Sequence, residues 1–541
     1  MIVTETRLNG RAAAPGIHAG PVVVLPAQVE ARRAAGKPDE ERAALAAAIG
    51  RARDEVAALA GRASGEAARI MEIQVALLED EALSEEARAA IARGVAADIA
   101  WSEAMAVEIA GYATAEDEYF RARAADLADV RDRVLGHLAG VPSVPQVAPG
   151  SVVAARDLPP SAFLALDWSK GGGIVLGEGS PTSHAAMLAR SRDVPMVVGV
   201  GRHWESLAGT VLVDGYKGTA IVDPAPEAVA EAAQRKRAEL RNDAAARAGI
   251  SASAVTRDGT RITVLVNVAD PTELDAVDPA WCDGIGLVRT EFMLAGTTLR
   301  DEERQLALYR RLLEWAAGRP VTVRTLDAGG DKPIPGYTVD GERNPFLGMR
   351  GIRLSLRHRD VFRIQLRALA RASVQGSLKI MLPMVTTPSD LGEARALLDA
   401  VVAELRGEGL PAQAPPLGIM VEVPATALAI DGFDAAFFSI GSNDLVQYVT
   451  AASRDGADVA EYAQLSHPGV LRLIASVAAH GAAIGREVSL CGDAAADPQS
   501  VPLLLAAGIR TVSVAPSAVA RVKAAIREVS LDASRAMSAA S

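Results

Sequence analysis

Apolar positions along the chain change their period several times, and each change marks a different kind of element. Around residues 12–25 the stretch AAAPGIHAGPVVVL is apolar and β-branched after a Pro-Gly turn, which predicts strand. From about Asp39 to Leu138 the pattern turns helical: Ile70, Ile73, Leu77 and Leu78 recur at helical spacing among Ala, Glu, Arg and Leu, with almost no Gly or Pro. The spacing predicts a helical insert of paired hairpins. After VPSVPQVAPG short strand-like runs return as SVVAA, GGIVL, PMVVGV and TVLVDG, with one helix-prone piece following His184. The first strand and these runs are expected to form one α/β domain interrupted by the helices.

A charged, Ala-rich run from Pro224 to Ala248 reads as a connecting helix. Beyond it ITVLVNV, GIGLVRT, VTVRTLD, LKIMLPMV, GIMVEVP, FFSIGSND, EVSLCGD and TVSVAP alternate with helical stretches. Eight candidate strands in about 270 residues match the repeat number and length of a (β/α)8 TIM barrel. Nearly every run ends in a polar or reactive residue. Because strand C-termini build the active site of such barrels, Arg289, Arg324, Glu422, Asn443, Asp444 and Cys491 are expected at one mouth.

Composition narrows the class. A chain of 541 residues is too long for one core and implies several domains. Its apolar runs fall far short of the roughly 20 residues a membrane span needs, and MIVTETRLNG has no basic region followed by an apolar stretch. A soluble, cytoplasmic protein is expected. Cys282 and Cys491 cannot make a disulfide framework, which fits a reducing compartment. A formal net charge of -11 argues against a nonspecific nucleic-acid binder and suits a basic protein partner.

The chemistry concentrates in two places. GSPTSHAAMLARSRDVPMVVG sets His184 after a turn at the start of a helix, where free N–H groups favour a phosphate and Thr182 and Ser183 supply hydroxyls. Imidazole is a nucleophile near neutral pH; the plainer role is a helix-start histidine that caps or packs. At the barrel mouth, Arg289 and Arg324, with Arg350 and Arg353 in NPFLGMRGIR, suit a bidentate grip on phosphate and carboxylate oxygens, although surface ion pairs are the usual fate of arginine. Glu422 and Asp444 form a carboxylate pair of the kind a hard divalent cation takes together with substrate oxygens, or they pair with the arginines instead. Lys332, after a Gly pair, either contacts phosphate or is solvated. Cys491 is either a buried structural thiol or a proton donor kept protonated by its ordinary pKa. Cys282 is assigned no chemistry.

These segments carry a family likeness. The PGI-x-x-G start, LLEDE, TSHAAMLAR, RTEF, VRTLDAGGDK, NPFLGMRGIR, VEVPA, FSIGSNDLVQY and CGD resemble enzyme I of the bacterial phosphotransferase system over nearly the whole chain. Several barrel motifs are shared with pyruvate phosphate dikinase and phosphoenolpyruvate synthase, which place a large ATP-binding domain ahead of the histidine domain. Here only a strand and a helical insert precede it. The resemblance implies a phosphohistidine domain at 1–35 and 146–223, a carrier-binding helical domain at 36–145, a linker helix at 224–252 and a phosphoenolpyruvate-binding barrel at 253–541. It implies that His184 takes the phosphoryl group at Nε2 and passes it to the histidine phosphocarrier HPr or a paralogue, in the first step of a phosphotransferase system. It further implies that Arg289, Arg324, Arg350 and Arg454 hold phosphate and carboxylate with Asn443 assisting, that Glu422 and Asp444 hold Mg²⁺, that Cys491 protonates enolpyruvate, and that the barrel dimerises.

Three departures from the family pattern stand out. Gly-Gly-Arg-Thr-Ser-His becomes Gly179-Ser180-Pro181-Thr182-Ser183-His184, Cys-Gly-Glu becomes Cys491-Gly492-Asp493, and a threonine that supports the histidine aligns with Phe163. Nucleophile, carboxylates and thiol are all retained. The departures suggest a divergent branch serving a regulatory or dihydroxyacetone-kinase relay. Two alternatives compete: a dikinase- or synthase-type enzyme, which the lack of a P-loop disfavours, and a silent phosphoenolpyruvate sensor, which would need fewer of these groups. No sensory domain fits before residue 12.

Overall fold

The computed structural model describes residues 6–25, 33–63, 66–113, 118–141, 147–181, 183–294, 296–330, 332–339, 341–453, 459 and 461–531. It divides into two compact units, Met1–Leu240 and Arg241–Ser541.

In the first unit, β1 (Thr6–Asn9), β2 (Arg11–Ala14) and β3 (Ile17–Val24) precede five helices, α1 (Pro38–Ala60), α2 (Glu66–Glu79), α3 (Glu81–Ala92), α4 (Ala97–Ala113) and α5 (Glu118–Ala139). Pro38 at the first turn and the acids Asp39, Glu40 and Glu41 suit the N-terminus of α1, whose buried stripe Leu45, Ala48, Ala52, Val56 and Leu59 follows helical spacing. The insert packs a core of its own around Met71, Ile91, Trp101, Met105 and Val134. A polar thread runs through it. Gln74 Nε2 donates to Asp129 at 2.9 Å, and Arg133 pairs with Glu55 at 2.6 Å and donates to Ser161 Oγ at 2.5 Å.

Ser161 already belongs to the α/β part: β4 (Val152–Ala155), α6 (Pro160–Ala165), β5 (Gly173–Leu176), α7 (His184–Ser191), β6 (Met196–Val198), β7 (Thr210–Asp214) and β8 (Thr219–Val222). The sheet order is β1-β8-β7-β3-β4-β5-β6-β2. Strands β3 to β6 are parallel, and β2 joins β6 antiparallel with Arg11 opposite Val198. Strands β3 and β4 are direct partners, Val22 opposite Val152, so the whole helical insert is one crossover between neighbours. Phe163 lies fully buried, its ring stacked on Trp168 with centroids 5.2 Å apart. Phe163 is therefore a core anchor of α6.

Helix α8 (Pro226–Ala248) runs past the boundary between the units. On the first unit it packs Ala232 among Ile17, Leu212 and Ile221, and Arg235 pairs with Asp214 at 2.8 Å.

The second unit is a closed barrel of parallel strands: β9 (Thr263–Val268), β10 (Ile285–Arg289), β11 (Val321–Arg324), β12 (Leu378–Leu382), β13 (Leu417–Val421), β14 (Phe438–Gly441), β15 (Val488–Cys491) and β16 (Thr511–Val514). All eight predicted runs are strands. Most of their residues are buried on both faces, as a sheet wrapped by helices requires. Four outer helices matter here: α9 (Glu302–Ala316), α10 (Ile352–Arg357), α11 (Arg359–Ala372) and α12 (Pro388–Gly407). Two short ones, α13 (Pro424–Leu428) and α14 (Ser442–Thr450), begin at the mouth itself. No helix among the described residues is long and apolar enough to cross a membrane.

Candidate active site

Strand register brings the mouth together. Arg289 ends β10 opposite Arg324, Arg324 ends β11 opposite Met381, and Gly441 ends β14 opposite Cys491. Glu422 follows β13, and Asp444 lies in the first turn of α14. Five residues predicted from strand ends thus share one rim.

The arginines are engaged by protein carboxylates. Arg350, fully buried, directs Nη1 and Nη2 to Asp444 at 3.0 and 2.9 Å, and Nε and Nη2 to Asp327 at 3.1 Å each. Arg324 pairs with Glu291 and reaches Asp327 at 3.0 Å. Lys332 approaches Asp327 at 3.3 Å and Glu291 at 3.6 Å. The rival sequence reading, that the carboxylate pair binds arginine, holds for Asp444 and not for Glu422. The Glu422 carboxylate instead accepts the Met384 N–H at 2.6 Å.

Glu291 and Asp327 escaped the sequence reading, although a carboxylate follows each strand-end arginine by two or three residues, in RTE and RTLD. The residue before each is tied in place. Thr290 Oγ donates to the Arg324 carbonyl at 2.9 Å, and Gln365 on α11 accepts the Leu326 N–H at 3.1 Å. Arg353 stands apart from this cage, donating to the Leu347 and Gly348 carbonyls and to Thr386. Arg289, half-exposed, has no ion pair among the described residues. Arg454 and Thr182 lie outside those residues.

Charge decides what the cage can take. Burial, and then the nearby Asp444 and Asp327 charges, push the Glu422 carboxyl up to about 8. Arg324, Lys332 and Arg350 hold Asp327 well below the usual carboxylate range against its burial. At neutral pH Glu422 therefore keeps its proton, and a cation held by Glu422 with Asp444 as an oxygen donor pair would displace it. Such a pair fits a hard cation. Among the described residues no group of three or more His, Cys, Asp or Glu could hold a metal ion alone, so the remaining ligands would come from substrate or water.

Burial raises the Cys491 thiol, which keeps it protonated, while Arg324 acts in the opposite sense. Its Sγ lies 3.5 Å from the Ile440 carbonyl, and Ser442 Oγ donates to the Cys491 carbonyl at 2.7 Å. Asp493 has a visible role. Its backbone N–H donates to Asn443 Oδ1 at 3.0 Å, and its carboxylate accepts from Asn443 Nδ2 at 3.2 Å, fixing the amide.

In the first unit His184 opens α7, half-buried, with Ser183 as N-cap accepting the Ala186 N–H at 3.2 Å. Arg190 Nη1 donates to the Ala13 and Pro181 carbonyls at 2.6 and 2.7 Å, fastening the histidine segment to β2.

Known proteins divide the chain in the same order. Family models described as PEP-utilising enzyme match residues 9–123 (N-terminal), 147–218 (mobile domain) and 244–531 (PEP-binding domain). Phosphoenolpyruvate-protein phosphotransferase of Geobacillus stearothermophilus is 36% identical over 97% of this chain and 94% of its own length. Those of Staphylococcus carnosus and Bacillus subtilis are 40% and 37% identical over 76% and 81% of this chain, and over 74% and 78% of their own.

The chain belongs to this family.

A solved structure of Enzyme I (nEIt) is 31% identical over 43% of this chain and 99% of its own, with a TM-score of 0.37. Phosphoenolpyruvate-protein phosphotransferases use a divalent metal, and the Glu422–Asp444 oxygen pair suits one.

Proposed function

We infer that this chain takes the phosphoryl group of phosphoenolpyruvate onto His184 and passes it to a phosphocarrier protein, releasing pyruvate. Family membership over nearly its whole length carries the enzyme class. The observation that supports the residue roles is the cage of Arg324, Arg350 and Lys332 beside a protonated buried thiol.

Phosphoenolpyruvate brings the anionic groups that Glu291, Asp327 and Asp444 now occupy on these cations. Arg289, Arg324, Arg350, Lys332 and Arg454 bind its phosphate and carboxylate, with the Asn443 amide held in place by Asp493. Glu422 and Asp444 would hold Mg²⁺, which neutralises phosphate charge. His184 Nε2 attacks phosphorus in line; the P–O bond to the enol oxygen breaks as the N–P bond forms. Cys491 delivers its proton to the methylene carbon of the enolate, giving pyruvate, and the thiolate regains a proton from solvent. His184 then gives the group to HPr or a paralogue docked on the helical insert. Domain bounds near 36–145, 146–223 and 224–252 follow from this division, with α8 as the hinge region. We place the enzyme in the cytoplasm and its dimer contact on the barrel.

The test is incubation with Mg²⁺ and radiolabelled phosphoenolpyruvate. Acid-labile label is expected on the wild type and absent from His184→Ala. Label that persists in the variant assigns the nucleophile elsewhere, and a folded wild type that takes none is a phosphoenolpyruvate sensor.

A further inference from the structure

A phosphoryl group on His184 carries negative charge that needs a cation near it, and the segment from Gly177 to His184 has none. Its one charged side chain is Glu178, an acid paired with Arg156 at 2.9 Å. Cations must therefore come from neighbouring elements. Arg190 is one, but its guanidinium already serves the Ala13 and Pro181 carbonyls.

Arg11 is the other. It is the first residue of β2, opposite Val198 at the end of β6, so the antiparallel edge strand starts on the rim where the parallel strands end. Its Nη2 donates to the Gly179 carbonyl at 2.8 Å. Gly179 lies at φ +94, a left-handed conformation, and the Ser183 N–H closes the next turn onto the Ser180 carbonyl at 3.1 Å, immediately before His184. Arg11 is half-buried, makes no ion pair among the described residues, and has that one hydrogen bond there for its five N–H donors. A partly desolvated guanidinium with no counter-anion, fixed to the loop that delivers the nucleophile, calls for an anion.

We propose that Arg11 is a positioning residue for phosphoryl transfer, holding the histidine segment through Gly179 and setting an uncompensated positive charge beside the phosphoryl group that His184 carries. The proposal rests on His184 being the acceptor. Pro181 leaves the segment without a cation of its own, and Arg11 supplies one from a strand some 170 residues away in sequence.

The test uses the full chain with Mg²⁺ and radiolabelled phosphoenolpyruvate in single turnover, comparing wild type, Arg11→Ala, Arg11→Lys and the double variant Arg11→Ala with Pro181→Arg, each with its melting temperature. Arg11→Ala is expected to slow labelling by about ten-fold with little change in the phosphoenolpyruvate concentration for half-maximal rate, because that substrate's groups lie on the barrel. Arg11→Lys keeps the charge and recovers part of the rate, and Pro181→Arg restores a cation to the segment and recovers more. Wild-type rates for Arg11→Ala, or losses in all three variants that simply track lowered melting temperatures, overturn the proposal. Absence of label from the wild type overturns the His184 assignment as well, which separates the two failures.

Discussion

Glu422 is the residue at which the electrostatics of the mouth come due. Its carboxyl is buried, and the cations nearest to it are committed to Asp327 and Asp444. With its pKa pushed up to about 8, the native state keeps a proton that the unfolded chain releases near the ordinary glutamate value. Between those two values the unfolded state binds fewer protons, so this residue's contribution to stability falls as pH rises and levels off above about 8. Glu422→Gln removes that loss. In EDTA its melting temperature is expected to exceed that of the wild type by a margin that widens from pH 5 to 8, while phosphoryl transfer is lost. A margin independent of pH would show that Glu422 is ionised throughout. This charge balance was only half legible in the sequence. The strand-end polar residues announced Arg324, Glu422 and Cys491, but Glu291 and Asp327 lie just past the strands, where their neighbours Thr290 and Leu326 are fixed by long-range bonds to Arg324 and Gln365. No local pattern says which carboxylate takes which arginine.

At the scale of elements, the barrel was readable because each strand is a short apolar run buried on both faces and closed by a polar residue. The N-terminal sheet was readable as strands and not as an order. Pairing Arg11 with Val198 or Thr6 with Val222 spans most of the unit, and nothing periodic encodes it. The junction of β15 with α14 shows how tightly elements fix the chemistry. Gly492 sits at φ +104, and a Cβ there would meet Ser442 Oγ at 2.3 Å and Asn443 Oδ1 at 2.6 Å. Gly492→Ala must therefore push the start of α14, and with it Asp444, away from Cys491. A folded protein with activity reduced about 10- to 100-fold is expected, since small displacements of reacting groups are costly. Steady-state pyruvate release read beside the melting curve checks this, and unchanged activity would mean that α14 yields without moving Asp444.

For the molecule as a whole, separate cores predict separate melting. The barrel core draws only on residues of the second unit, whereas the insert and the α/β sheet pack cores of their own in the first. Scanning calorimetry is expected to resolve more than one transition, and Mg²⁺ with phosphoenolpyruvate to raise the barrel's midpoint alone, by the equivalent of about 2.7 kcal/mol at one hundred times the dissociation constant. One transition that moves as a block would show that the units unfold together.

The path from β3 to β4 has a consequence of another kind. Two neighbouring parallel strands need only a short crossover, and here that crossover has grown into a folded helical body moored to the sheet by Arg133 and Ser161. Such an insertion is a cassette: one lineage can exchange it for another at the same two strand ends without re-threading the sheet or disturbing the catalytic rim. With the carrier docked on this insert, as proposed above, duplicated copies of the enzyme could in this way be rewired to different relay partners while the chemistry stays in common.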